Sequence, residues 1–174
     1  MNKEELRAAQ APLKARYRNE PTAALLNLTA SGTPDAPAQL CRVETYLGPV
    51  EAGLHAATGG DGSKACSGDM LLQALVACAG VTLGTVATAM GIAVQSGRIW
   101  AEGELDFRGT LGVAANVPVG FRGLHLHFDI ATDAEPDAHR RLIELTERYC
   151  VVYQTLKNPP AIEVSAPHPN LLPV

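Results

Sequence analysis

Two cysteines in unlike surroundings are the residues best placed to do chemistry. Cys78 follows Leu75, Val76 and Ala77 inside a run without charge, and Cys150 closes the stretch Glu147, Arg148, Tyr149 just ahead of Val151, Val152 and Tyr153. A thiol on an apolar helix is usually a small core hydrophobe. A thiol at a helix boundary, where partial positive charge gathers, is placed for reactivity instead. Spacing alone does not bring the two together. Of the other cysteines, Cys41 falls on a predicted strand and reads as a core residue, while Cys66 stands just before a predicted helix. His125 and His127 share a strand face, but no third ligand has metal-site spacing, so they read as a solvated face. Residues 59–64, with three glycines and Lys64, lack the phosphate-loop spacing and read as a turn.

Bulk properties narrow the function classes. At 174 residues the chain fits one domain over 1–174, long enough to bury most of its unfolded surface. Hydrophobic residues make up 47% and charged residues 18%, which calls for an ordered core rather than disorder. The net charge of -4 gives no footprint for nucleic acid or an anionic membrane. The four cysteines show no C-x-x-C spacing and the chain starts polar and charged, so the expectation is a reducing cytoplasm with no leader peptide. Residues 70–94 carry no charge and are long enough to cross a bilayer. Gln73, Gly80, Thr82, Gly84, Thr85, Thr88 and Gly91 interrupt them, however, and a buried helix apolar all round explains the run better. Gly80 and Gly84 form a small-residue face suited to close packing against another helix.

The elements that must position the cysteines follow from periodicity. A helical stripe through Leu6, Ala9, Leu13 and Tyr17 predicts an N-terminal helix within 1–20, broken or restarted at Pro12. The core spans 24–166. It begins with a strand over 24–30, a turn over 32–37, a returning strand over 39–47 and an extended piece over 50–55. The long helix is predicted from Ser67 to Gly91, with Ser67 or Asp69 as its cap. Period-two alternation predicts strands through 99–108 and 124–130, joined by a loop over 109–118. An amphipathic helix covers 136–149, a short helix follows Cys150, and a last strand covers 161–165. The proline-rich tail 167–174 is expected to lie extended. This pattern is α+β.

The segments around both cysteines resemble the OsmC/Ohr group of osmotically inducible and organic hydroperoxide resistance proteins. One segment runs from Ser67 and Gly68 through Asp69 to Cys78; the other runs from Glu147 through Cys150 to Leu156. The resemblance extends from about Gly59 to Val164 and is poor over the first thirty residues. It implies an OsmC-like fold of antiparallel sheets around a long central cysteine-bearing helix, assembled as an intertwined homodimer. It also implies that Cys78 is the nucleophile toward an organic hydroperoxide and Cys150 the resolving thiol. Cys66, just before the predicted helix start where the macrodipole lowers a thiol pKa, reads from its position as an alternative resolving thiol. The electrons would come from a small dithiol or a lipoyl-bearing protein, with no bound metal, flavin or other cofactor. Asp69 matches the acidic position of the broader group. The position that is most often glutamate in hydroperoxide-resistance members is Gly68 here. The turn that carries the group's arginine has none; Arg42, or Arg16 or Arg18, would have to substitute. Gly68 and the missing arginine favour a second reading, a non-enzymatic dimer that binds a hydrophobic ligand or senses redox state.

Overall fold

The computed structural model describes residues 1–166; the extended tail expected over 167–174 lies outside the described residues. Helix α1, Lys3–Asn19, opens with a reciprocal cap. The Asn2 side chain accepts from the Glu5 amide at 2.9 Å and the Glu5 carboxylate accepts from the Asn2 amide at 2.9 Å. The break expected at Pro12 does not occur, and the helix runs through it. The bond that proline forfeits is the one to the Ala8 carbonyl, which lies on an exposed face where water can serve it.

The strand expected over 24–30 does not form either. Pro21–Ala24 is a single 3-10 turn, and the residues after it pair with no strand among the described residues. The chain then enters β1, Gly32–Asp35, where a turn was expected. The turn comes instead at 36–39, where Asp35 accepts from the Ala38 amide and Gln39 takes a left-handed φ of 54°. Pro34 is tolerated because β1 is an edge strand. Strands β2, Leu40–Val43, and β3, Val50–Gly53, continue the antiparallel order. The two-residue β4, Ala65–Cys66, adds to β3 in parallel, a departure from the all-antiparallel expectation.

Helix α2, Ser67–Met90, is the long central element. Its N-cap is Cys66 and not Ser67 or Asp69, and no side chain bonds its first amides. Its end is the expected one: Gly91 adopts φ 75°, and its amide and that of Ile92 return to the carbonyls of the last turn. By length and composition α2 could cross a membrane. In this fold it packs against the helices and the strand described next.

Strand β5, Val94–Glu104, pairs antiparallel with β6, Gly123–Thr132, with an irregularity between Val94 and Ser96. The predicted continuation of β5 to Arg108 fails because Asp106 caps a one-turn helix, α3, Phe107–Thr110, by accepting from the Arg108 amide. The loop expected from Gly109 therefore begins later. Helix α4, Pro136–Tyr149, and α5, Val151–Lys157, meet at Cys150. The final strand expected over 161–165 is irregular chain.

The core forms where α2 crosses α4 over the β5–β6 pair. Leu83, Val86, Ala87 and Leu142 are buried there, with Ile99, Phe128 and Ile130 from the strands closing the layer. This packing fixes the angle at which α2 carries Cys78 toward the junction of α4 and α5.

Candidate functional site

Cys78 sits midway along α2 and is half-buried, whereas Cys150 at the α4–α5 junction is 0% exposed. The helix-boundary position, a mark of reactivity in the sequence, therefore leaves Cys150 the less accessible of the two. The cause is the junction itself: the backbone turns from one helix into the next beneath α2, and the thiol is folded inward. Thr146, one turn earlier and equally enclosed, donates its hydroxyl to the Leu142 carbonyl at 2.8 Å.

Both thiols are free, and they act directly on each other. Burial pushes the Cys78 thiol up, but four donors pull it down: the Val152 amide, the Cys150 thiol, the Val151 amide and the Thr82 hydroxyl. The donors prevail, and Cys78 titrates below the ordinary cysteine value. Hydrogen bonding to a charged form favours that form. The two amides are free to do this because the first N–H groups of a helix have no acceptor within it. Burial pushes the Cys150 thiol up as well; the Tyr153 amide opposes this, the Cys78 sulfur reinforces it, and the net direction is upward. One thiol of the pair is thus prepared to lose its proton and the other to keep it.

An apolar cavity of about 260 Å³ is lined by Leu75 from α2, Leu124 and Leu126 from β6, and Tyr153, Leu156 and Lys157 from α5; neither cysteine lines it, but Leu75 and Tyr153 each stand three residues along the chain from one of them. Leu75 is one helical turn before Cys78. Polar groups stand only at the Tyr153–Lys157 side. The Tyr153 hydroxyl donates to the Glu147 carboxylate at 2.9 Å, and the Lys157 ammonium donates to the Tyr153 oxygen at 3.4 Å.

Asp69 and Arg42 are not among the groups that act on Cys78. Asp69 lies nine residues earlier on α2, about 13 Å along the axis, and lines a separate cleft with His55 and Cys66. Arg42 on β2 pairs with Glu51 at 3.0 Å, and Glu51 also holds Lys64. Gly68 borders the same cleft; a side chain there would meet Cys66, Leu105 and Phe121 at ordinary contact distance. Cys66 precedes Cys78 by twelve residues of one helix, roughly 18 Å, too far for the two to pair within one chain. Cys41 on β2 lies apart from the site, its sulfur against Gly32. His127 stacks on Trp100 at 4.6 Å, His125 stacks on His127, and Glu102 lies 3.2 Å from His127. Among the described residues no three side chains gather as a metal site.

Sequence reasoning missed the Val151 and Val152 amides, which carry no side-chain signature. It also missed Thr82, whose position four residues after Cys78 on a predicted helix was the available signal. Lys157 and Tyr153 escaped notice because their place beside Leu75 depends on how α5 folds back.

Comparison with known proteins matches the family model described as OsmC-like protein to residues 60–165, more than half of the 174. No curated protein sequence matches significantly. Among solved structures, the OsmC-like protein from Mycoplasma pneumoniae aligns with TM-score 0.64 and 16% identity, covering 77% of this chain and 89% of that one. The organic hydroperoxide resistance protein OsmC from Legionella pneumophila aligns with TM-score 0.58 and 19% identity, over 78% and 92% of the two chains. An organic hydroperoxide resistance protein from Elizabethkingia anophelis gives 0.57 and 16%, over 78% and 91%. At these identities the structural likeness speaks for the fold alone.

Proposed function

The chain belongs to the OsmC-like protein family, and from that premise we propose that it reduces organic hydroperoxides through Cys78 and Cys150. The observation that carries the proposal is the opposed tuning of two thiols in contact. The Cys78 thiolate attacks the terminal peroxide oxygen. A sulfur–oxygen bond forms, the oxygen–oxygen bond breaks, and the alkoxide leaves as an alcohol after taking a proton. Cys78 is then a sulfenic acid, oxidised by two electrons. The Cys150 sulfur attacks that sulfur, a disulfide forms, and the hydroxyl departs as water. An external dithiol, free or lipoyl-borne, returns the two electrons and restores both thiols.

The leucine-lined cavity supports an organic substrate over hydrogen peroxide, because it offers apolar surface to the alkyl part. The functional unit in this proposal is a cytoplasmic homodimer with no resident cofactor. Arg42 and Asp69 are retained only as groups that a second chain would have to bring near Cys78.

A second reading is favoured by Gly68 and by the distance of Asp69 and Arg42 from the pair. In it, the same cavity and thiols serve a dimer that binds a hydrophobic ligand or senses redox state without turnover. Steady-state consumption of cumene hydroperoxide and of hydrogen peroxide, each with a dithiol present, separates the two. Faster turnover of the organic peroxide is expected. Thiols that oxidise once and do not cycle would establish the second reading.

A further inference from the structure

We infer that one face of α1 is a docking surface for a lipid bilayer bearing anionic headgroups. The net charge of -4 conceals an asymmetry. Helix α1 holds Lys3, Arg7, Lys14, Arg16 and Arg18 against Glu4 and Glu5, a net of +3, which leaves -7 for the rest of the chain. At about 100° per residue, Lys3, Arg7, Lys14 and Arg18 fall within roughly 60° of one another and form a row about 22 Å long. All four are exposed, the Lys3 ammonium lying beside Gly91 at the C-terminal end of α2 and the other three standing clear of it. Among the described residues none of the four is ion-paired; Arg16, off the row, is the α1 cation that is, with Glu20.

The row has an apolar border. Leu6, Leu13 and Tyr17 follow it around the helix; Leu6 is half-buried, while Leu13 and Tyr17 remain 48% and 36% exposed. A basic stripe edged by leucine and tyrosine fits the headgroup and acyl boundary of a bilayer. An extended anionic surface also answers a straight row better than a compact acidic patch does. The negative remainder of the molecule is repelled by the same surface, so the chain would approach α1 first. A nucleic acid would meet that repulsion without gaining anything from the apolar border.

The test is flotation of the full chain with vesicles of equal parts phosphatidylglycerol and phosphatidylcholine, and with phosphatidylcholine alone, at low and high salt. Binding is expected only to the anionic vesicles, and high salt should release it. The double variant Arg7→Gln, Lys14→Gln should bind roughly tenfold more weakly or worse, while Arg16→Gln binds nearly as wild type. Glutamine keeps the helix, since its propensity matches the residues replaced, and the wild-type salt response needs no variant. Wild-type protein that stays free of anionic vesicles overturns the inference, as does a double variant that binds undiminished. Two further results would also defeat it: capture by poly-glutamate but not by vesicles, which marks a protein partner, and a changed sedimentation mass of the double variant, which marks a contact between copies.

Discussion

At the scale of single residues, exposure and proton affinity divide the thiol pair in the same sense. Cys78 is reachable and lowered, Cys150 is enclosed and raised. Cys78→Ser should therefore abolish single-turnover peroxide consumption. Cys150→Ser should keep the first turnover and leave a sulfenic acid on Cys78 that a dimedone-type reagent traps. Wild-type consumption by Cys78→Ser would reverse the roles. The pH dependence has a definite sign. A lowered thiol is deprotonated first as pH rises, so iodoacetamide should alkylate Cys78 with a midpoint below that of a free cysteine. Removing the Cys150 donor takes away one lowering contact, and Cys150→Ala should move that midpoint upward. A midpoint that stays put or falls would show that the thiols do not communicate as described. The two cysteines were legible in the sequence because their types and neighbours advertise them. Which would be enclosed was not, since that depends on the backbone turn between α4 and α5 and on helix-end amides that no residue name encodes.

At the scale of elements, periodicity told where chain would be apolar but not whether a partner strand would be present. The long helix, its glycine stop and the α4 span 136–149 were all readable because each is decided by local pattern. The strands expected over 24–30 and 161–165 were not realised: alternation is only half of a strand, and neither segment finds a hydrogen-bonding neighbour strand among the described residues. Leu28 is accordingly 93% exposed and Ile162 88%. Where an element does close the core, truncation has a predictable cost. Leu142, fully enclosed between α2 and α4, should lose about 2–5 kcal/mol on change to alanine. Gly91→Ala should cost about 1 kcal/mol, because the left-handed φ of 75° is strained for any side chain. Urea denaturation of both variants checks the order. A Gly91→Ala loss equal to that of Leu142→Ala would contradict the placement of the core.

For the whole molecule, the apolar surface left uncovered is the guide. Leu25, Leu26, Tyr46, Leu47 and Val81 are all largely exposed, and the outer face of α2 includes Ala74, Ala77, Val81 and Gly84. Sedimentation at micromolar concentration should give twice the 18.3 kDa chain mass; a stable monomer would remove the dimer from the proposal. After mild peroxide treatment, peptide mapping should find Cys78 linked to Cys150. Their separation of 150 − 78 = 72 residues lets that link stabilise the fold by roughly 4 kcal/mol in the chain-entropy model. Only 28% of the most apolar stretch of α2 is covered within one chain. If the missing cover is a second copy, mass action enters folding itself: each chain's native state is stabilised by the abundance of its fellows. Thermal midpoints would then climb as protein is concentrated and sink as it is diluted. A cell that makes too little of this protein would hold it in a less durable form than one that makes plenty.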